Sequence, residues 1–398
     1  MTFQKSQENP IDKTSVYVAA GLISAAGALL LNVLPVLFGT LAEAFGLGEA
    51  ELGNLAFSAN IGFALLGIIS LAWVRKTSWR TISIIASAVV TLAILYIWTK
   101  PSYGGLLAAM AVAGAGTGAL YALAMVIFGD SSQPERAYGF KLGMETLPGV
   151  VLLVLLPVVI APAWGFGGVM ITLALAAVLM GIVPLPWVPA RGLDRSGDAS
   201  PTHDHVPHGS ASTTVWLSLL ASLIFLMGII AIWAFLELIG KQTGLSSDTI
   251  GMVLSAGFFV NAIGGFIAAG LGLKVGRITP VVIVIAAELL GLVLIGQFAS
   301  VTTFAVGVML FLFSINFVLA YTFGLMAEYD LSGKLVALGS VCLSLGGALG
   351  PMISGNIIES SGYTAALVFS GGCSLVALAI YASLARRASQ LTLAPSQP

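Results

Sequence analysis

Four ionisable side chains fall inside stretches of this sequence that are otherwise apolar: Lys141, Glu145, Glu237 and Glu288. Lys141 and Glu145 are one helical turn apart, and Glu237 precedes Lys241 by the same spacing, so each acid has a local base to pair with. Glu288 has no Lys or Arg in its own stretch. A charge in hydrocarbon costs a few kcal/mol, so such a group is paired, neutral, at the headgroups or facing a wet cavity where protons exchange. Glu145, Glu237 and Glu288 are therefore the proton-coupling candidates. Each also has a plainer reading: a local pair with Lys141 for Glu145, and an ion pair with Lys241 near the outer face for Glu237. For Glu288 the plainer reading is a neutral carboxyl hydrogen-bonded to a neighbouring helix.

Two further acid-then-base spacings repeat each other. Asp130 with Arg136 and Glu328 with Lys334 lie at corresponding ends of apolar runs, where such pairs could tie helix ends together in one conformation and release them in another. They are read as a cytoplasmic gate. His203, His205 and His208 have ligand-like spacing, but in a Pro-, Gly- and Ser-rich stretch without cysteine partners they read as a solvated linker, and no metal site is expected. Cys342 and Cys373 fall in apolar runs and behave as small apolar residues. No run carries clustered His, Asp or Cys with catalytic spacing, so no enzyme and no cofactor are expected. No Gly-x-x-x-x-Gly-Lys-Ser/Thr motif is present, so energy for any vectorial work must come from an ion or substrate gradient.

The elements that hold these residues are membrane helices. Of 398 residues 58% are hydrophobic and 8% charged, and the mean hydropathy is +1.03, a composition that could not cover a water-soluble surface. The net charge of -1 gives no reason to expect a nucleic-acid partner. Twelve helices are expected, at roughly 15–38, 52–73, 81–98, 104–128, 138–161, 165–187, 214–239, 249–272, 280–299, 303–327, 335–358 and 363–385. With both termini cytoplasmic, all basic residues except Lys100 and Lys241 fall on one side, as the positive-inside rule requires. The first apolar run is too long for a secretory signal and lacks its cleavage pattern, so it is read as a retained helix. The expected organisation is a cytoplasmic tail over 1–14, a six-helix bundle over 15–187, a cytoplasmic linker over 188–213, a second bundle over 214–387 and a tail over 388–398.

The two bundles are copies. Gly-Leu-Gly-Glu-Ala-Glu-Leu-Gly from Gly46 to Gly53 meets Gly-Leu-Ser-Ser-Asp-Thr-Ile-Gly from Gly244 to Gly251 at an offset of 198, and Asp130, Arg136 and Gly149 meet Glu328, Lys334 and Gly347 without a gap. Such duplication is the mark of transporters whose site lies between repeats.

Twelve helices in two halves, with a basic loop between the second and third helix of each half and a long central loop, resemble the major facilitator superfamily over about 15–387. Its loop motif is echoed by Arg75, Lys76 and Arg80 and by Lys274 and Arg277, with Arg75 and Leu273 standing where the family usually has Asp. Its fourth-helix Arg is replaced by Met110, ahead of a run containing Gly114, Gly116 and Gly118. The stretches Leu142 to Gly149 and Leu345 to Gly355 resemble the Gly/Pro packing motif of its exporters. The resemblance implies an all-α membrane protein of two pseudo-symmetric six-helix bundles that rocks about a central cavity. Family architecture turns toward that cavity Asn32, Asn60, Thr117, Tyr121, Trp233, Phe258, Asn261, Asn316 and Tyr321, the substrate-cavity candidates, and sets Glu145 at the interface between halves. A lining of amides, hydroxyls and rings suits neutral or cationic amphipathic compounds. The expectation is a monomeric, multi-pass transporter of a small-molecule substrate in the cell inner membrane, driven by a proton or other coupling ion, with efflux favoured. Proton-coupled uptake of a nutrient or aromatic compound is the alternative, and a membrane sensor without transport is another.

Overall fold

The computed structural model describes residues 9–70, 72–132, 134–191, 210–297, 300–329 and 339–393. Among them the regular structure is helical: α1 (Thr14–Gly27), α2 (Leu29–Asn32), α3 (Leu34–Phe45), α4 (Glu49–Ser70), α5 (Trp79–Trp98), α6 (Tyr103–Gly129), α7 (Pro134–Leu155), α8 (Ala161–Gly181), α9 (Ser210–Trp233), α10 (Leu236–Gln242), α11 (Ser247–Leu271), α12 (Ile278–Gly296), α13 (Val301–Tyr329) and α14 (Gly339–Leu393). Nine helical stretches of the described residues are long and apolar enough to cross a bilayer, and two of these are 48 and 45 residues long. Each long one turns at a non-helical glycine, Gly165 with φ 59° and Gly362 with φ 81°, conformations that glycine adopts without a Cβ clash. Counting each as two crossings, and α1 to α3 as one broken crossing, the architecture is consistent with twelve.

The first crossing is longer than the expected 15–38. Thr40 and Glu43 read as an exit from the membrane, but helix α3 continues to Phe45 and closes at Gly46, whose φ of 68° stops it. Gly244, one repeat later, closes α10 with φ 77°. Pro148 lies inside α7, where it has no N–H to return to the Met144 carbonyl, and a π-helical turn over Leu156–Ile160 joins α7 to α8.

The repeat is visible in burial. On α5 and α12 the buried faces coincide at an offset of 198, from Ile82 and Pro280 through Val90 and Glu288 to Ile97 and Ile295. Beyond Gly149 and Gly347 the register slips. Gly165 and Gly362 are 197 apart, and the buried Val169, Leu173 and Ala177 of α8 match Ala366, Ser370 and Ser374 of α14 at that same offset.

By contacts the chain forms two compact units. The first draws on Met1–Val33, Ile61–Leu152 and Ile160–Thr202, the second on Leu34–Asn60, Leu153–Val159 and His203–Pro398. In the first, α5 packs between α6 and α8 while α1 lies against α6. In the second, α9 runs along α14, and α13 packs against α11 and α12.

The second unit also contains α3, the first half of α4 and the π-turn, seated by two equivalent close approaches. A Cβ on Gly53 would strike the carbonyl oxygen of Pro351, and one on Gly251 would fall 2.7 Å from that of Leu153. Both pairs are the same positions of the repeat, so one backbone contact, permitted by a missing side chain, is used twice.

Candidate transport site

In the first unit the sequence candidates converge on Glu145. Gly21, Ser24 and Gly27 share one face of α1, and the two glycines let its backbone lie close to α7 and α6: a Cβ on Gly21 would be 2.6 Å from Met144 Cβ, and one on Gly27 would be 2.6 Å from Tyr121 N. That approach delivers Ser24, whose hydroxyl donates to Glu145 Oε2 at 2.6 Å. The Lys141 ammonium donates to the same oxygen at 2.5 Å and lies 3.9 Å from the centroid of the Tyr121 ring. Asn32 donates through Nδ2 to the Glu145 carbonyl at 3.0 Å, in the stretch that Pro148 loosens.

Electrostatically the cluster is almost closed. Lys141 is 1% exposed and is the sole Lys or Arg buried among the described residues. Its charge is met by the Glu145 carboxylate and by the negative face of the Tyr121 ring, two interactions that burial makes stronger than in water. Glu145 keeps more freedom. Its side chain is 14% exposed, and Oε2 takes the bonds from both Ser24 and Lys141, leaving Oε1 to receive a proton or a donor group. Ser24 is the participant that sequence reasoning missed, and the small-residue spacing around it was the available signal.

Glu237 sits in the second unit at a different junction. Lys241 Nζ lies 2.9 Å from Glu237 Oε1 and 2.6 Å from Glu43 Oε1, so one ammonium serves two carboxylates, one of them on α3. The Glu237 carboxyl occupies the space that a side chain at Gly39 would need. Burial by itself lowers the Lys241 ammonium, and the adjoining Glu237 and Glu43 carboxylates more than reverse this, holding it above its ordinary value. Glu288 lies elsewhere again, fully buried on α12 with its Oε1 accepting from Ser374 at 2.5 Å.

Several cavity candidates hydrogen-bond to backbone groups. Asn261 and Asn316 bond each other's backbones, and Thr117 and Asn60 donate to carbonyls of their own helices. Tyr321 donates to the Gly272 carbonyl at 2.7 Å, which ties α13 to the end of α11. Trp233 stacks on Phe258 with ring centroids 5.3 Å apart.

Of the expected gate residues, Asp130 is described together with a charge partner from another loop. Asp130, buried at the end of α6, accepts from Arg75 Nη2 at 2.9 Å, so the basic residue standing at the motif's acidic position supplies its charge partner. An acid at a helix C-terminus opposes the helix dipole, and the guanidinium offsets that. The side chains of Arg136 and Glu328, and Lys334 and the three histidines, lie outside the described residues.

The family model described as Major Facilitator Superfamily matches residues 16–329 and 217–397. No curated protein matches the chain. Among solved structures it is similar to a bacterial homologue of the human lysosomal transporter Spinster in an inward-facing, unoccupied conformation. The TM-score there is 0.70 at 15% identity, over 94% of this chain and 98% of that one. The same homologue in its inward-facing, occupied conformation gives a TM-score of 0.65 at 15% identity, over 94% and 95% of the respective chains. At that identity the likeness is one of fold.

Proposed function

The chain belongs to the Major Facilitator Superfamily, and on that premise we propose that it is a proton-coupled secondary transporter of small organic molecules with Glu145 as the coupling carboxylate. The observation that carries this is the Ser24, Lys141 and Glu145 cluster with Tyr121. It is a carboxylate with one engaged and one free oxygen, on a helix interrupted by Pro148, beside the one buried cation among the described residues. Protonating Glu145 would release the Lys141 ammonium from its partner. Bending at Pro148 would change the access of water to the freed pair. Each of these alters the other, which is the requirement for coupling a proton to a conformational change.

Neutral or cationic amphipathic compounds are the proposed substrates, and efflux is the proposed direction. Lys141 is neutralised within its own cluster, which leaves no free buried ammonium among the described residues to clamp an anion. Trp233 and Phe258 offer a stacked aromatic surface of the kind that suits such molecules. The proposed location is the cell membrane with both termini cytoplasmic. The test is flux of a lipophilic aromatic cation in proteoliposomes under an imposed pH gradient. Gradient-driven flux that Glu145→Gln uncouples supports the reading. Absence of gradient-driven flux across a panel of aromatic cations and neutral aromatics would favour a sensor instead.

A further inference from the structure

The second repeat carries a polar layer where the first is apolar. At equivalent positions, Val90 on α5, Gly116 on α6 and Ala177 on α8 become Glu288 on α12, Ser314 on α13 and Ser374 on α14. The first layer is close packed: a Cβ on Gly116 would be 2.6 Å from Val90 Cγ2. The fold therefore has a working apolar solution at this level. Glu288, Ser314, Ser370 and Ser374 are all 0% exposed, so the polar version serves no contact with solvent.

Burial and an oxygen left over say which form of the carboxyl the layer fits. Ser374 stands 2.5 Å from Glu288 Oε1, while Oε2 has no partner. Ser314 lies beside the same carboxyl, with its hydroxyl 2.7 Å from the Phe311 carbonyl. Ser370, one turn before Ser374, also has an unpartnered hydroxyl. No Lys, Arg or His occurs in α9 or α12, those of α14 lie in its last turns, and the thiol of Cys373 is the other titratable group beside Glu288. An ionised Glu288 would be a fully buried charge with a hydroxyl donor on one oxygen only and no cation beside it. Alongside it α12 and α13 touch at Gly291 and Gly307, where a Cβ on either would fall 2.7 to 2.8 Å from the other's carbonyl oxygen, so there is no room for a hydrated ion.

We propose that Glu288, with Ser314 and Ser374, is a proton-binding site buried in the second unit, and that its proton exchanges with water during the conformational cycle. A carboxylic acid kept only for packing would have both oxygens engaged; here one is left over, as in a site whose partner arrives in another state. Exchange during the cycle rests on the transporter reading, whereas the presence of the proton does not.

The test is infrared spectroscopy on the full-length protein in liposomes without substrate, comparing wild type, Glu288→Gln and the triple variant Glu288→Val, Ser314→Gly, Ser374→Ala. The triple variant restores the layer that the first repeat already folds with, and so stands in should the single variant not fold. Wild type is expected to show a neutral carboxylic acid band worth one group, absent from both variants, that shifts in heavy water when a pH gradient is imposed. No band difference between wild type and variants overturns the site. A band that appears only when sodium is removed overturns it in favour of a metal ion. A band that never exchanges makes Glu288 a sealed structural acid and overturns the exchange, leaving the Glu145 reading intact.

Discussion

Lys241 and Glu43 are one repeat apart in sequence and 2.6 Å apart in space. Equivalent positions of the two copies thus carry opposite charges and pair with each other. Glu237 is the third member, nearly buried beside the same ammonium. The consequences of cutting the trio are unequal. Glu43→Gln removes a carboxylate that is mostly exposed and is expected to cost under about 1 kcal/mol. Lys241→Met strands the Glu237 carboxyl and is expected to cost ~3 kcal/mol, recovered in part by adding Glu237→Gln. Thermal unfolding in detergent checks the order.

Glu145→Gln is expected to abolish accumulation driven by a pH gradient while leaving substrate exchange partly intact. It also strands Lys141, at a cost of ~3 kcal/mol, which Lys141→Met in the same chain would relieve. Full pH-driven transport by Glu145→Gln would leave this carboxylate with a structural role and pass the coupling assignment to Glu237.

Gly53→Val and Gly251→Val are expected to act alike, because each drives a side chain into a carbonyl at the same place in the repeat. Both should depopulate the conformation described here, as measured by distances between spin labels. A Gly67→Val control meets nothing within 4 Å and should leave the populations unchanged.

Asp130→Asn is expected to shift the conformational equilibrium without abolishing ligand binding, and the swap Arg75→Asp with Asp130→Arg to recover part of the effect. Cross-linking of state-specific cysteine pairs reads it. Unchanged populations in Asp130→Asn would remove the gate role from this pair.

The segment ahead of α1 gives a pH signature. Burial pushes the Asp12 carboxyl up, but hydrogen bonds from Ser132, Ser131 and Tyr17 outweigh this and hold it below its ordinary value of 3.8. A carboxyl depressed in this way contributes stability that is present above its ordinary value and is lost as the pH falls below it. Asp12→Ala is therefore expected to speed proteolysis near residue 12 at neutral pH, with the difference from wild type vanishing in strong acid.

Helix positions and the duplication were legible because they rest on apolar periodicity and local glycines, which a linear reading captures. The extension of the first crossing to Phe45 was not, since Thr40 and Glu43 look like an exit while their polar groups are satisfied by Val36 and Lys241. The pairing of Arg75 with Asp130 was not legible, because the two are 55 residues apart and are brought together by packing. The Lys141 and Glu145 pair could be read from spacing alone, whereas Ser24 on α1 and Tyr121 on α6 joined it only through the approach of those helices to α7. The one-residue slip falls between Gly149 and Gly165, the stretch of the first repeat that contains the π-helical turn, which spacing of glycines alone does not reveal.

The four-residue spacing of Lys141 and Glu145 on α7 has an electrical consequence. While both are ionised they travel together as a neutral dipole, and a membrane potential does almost no work on any tilt or rotation of that helix. Once Glu145 takes up a proton, the same movement carries a whole positive charge, worth about 2.3 kcal/mol per 100 mV for a full crossing. Voltage would then bias the loaded carrier and leave the empty one alone.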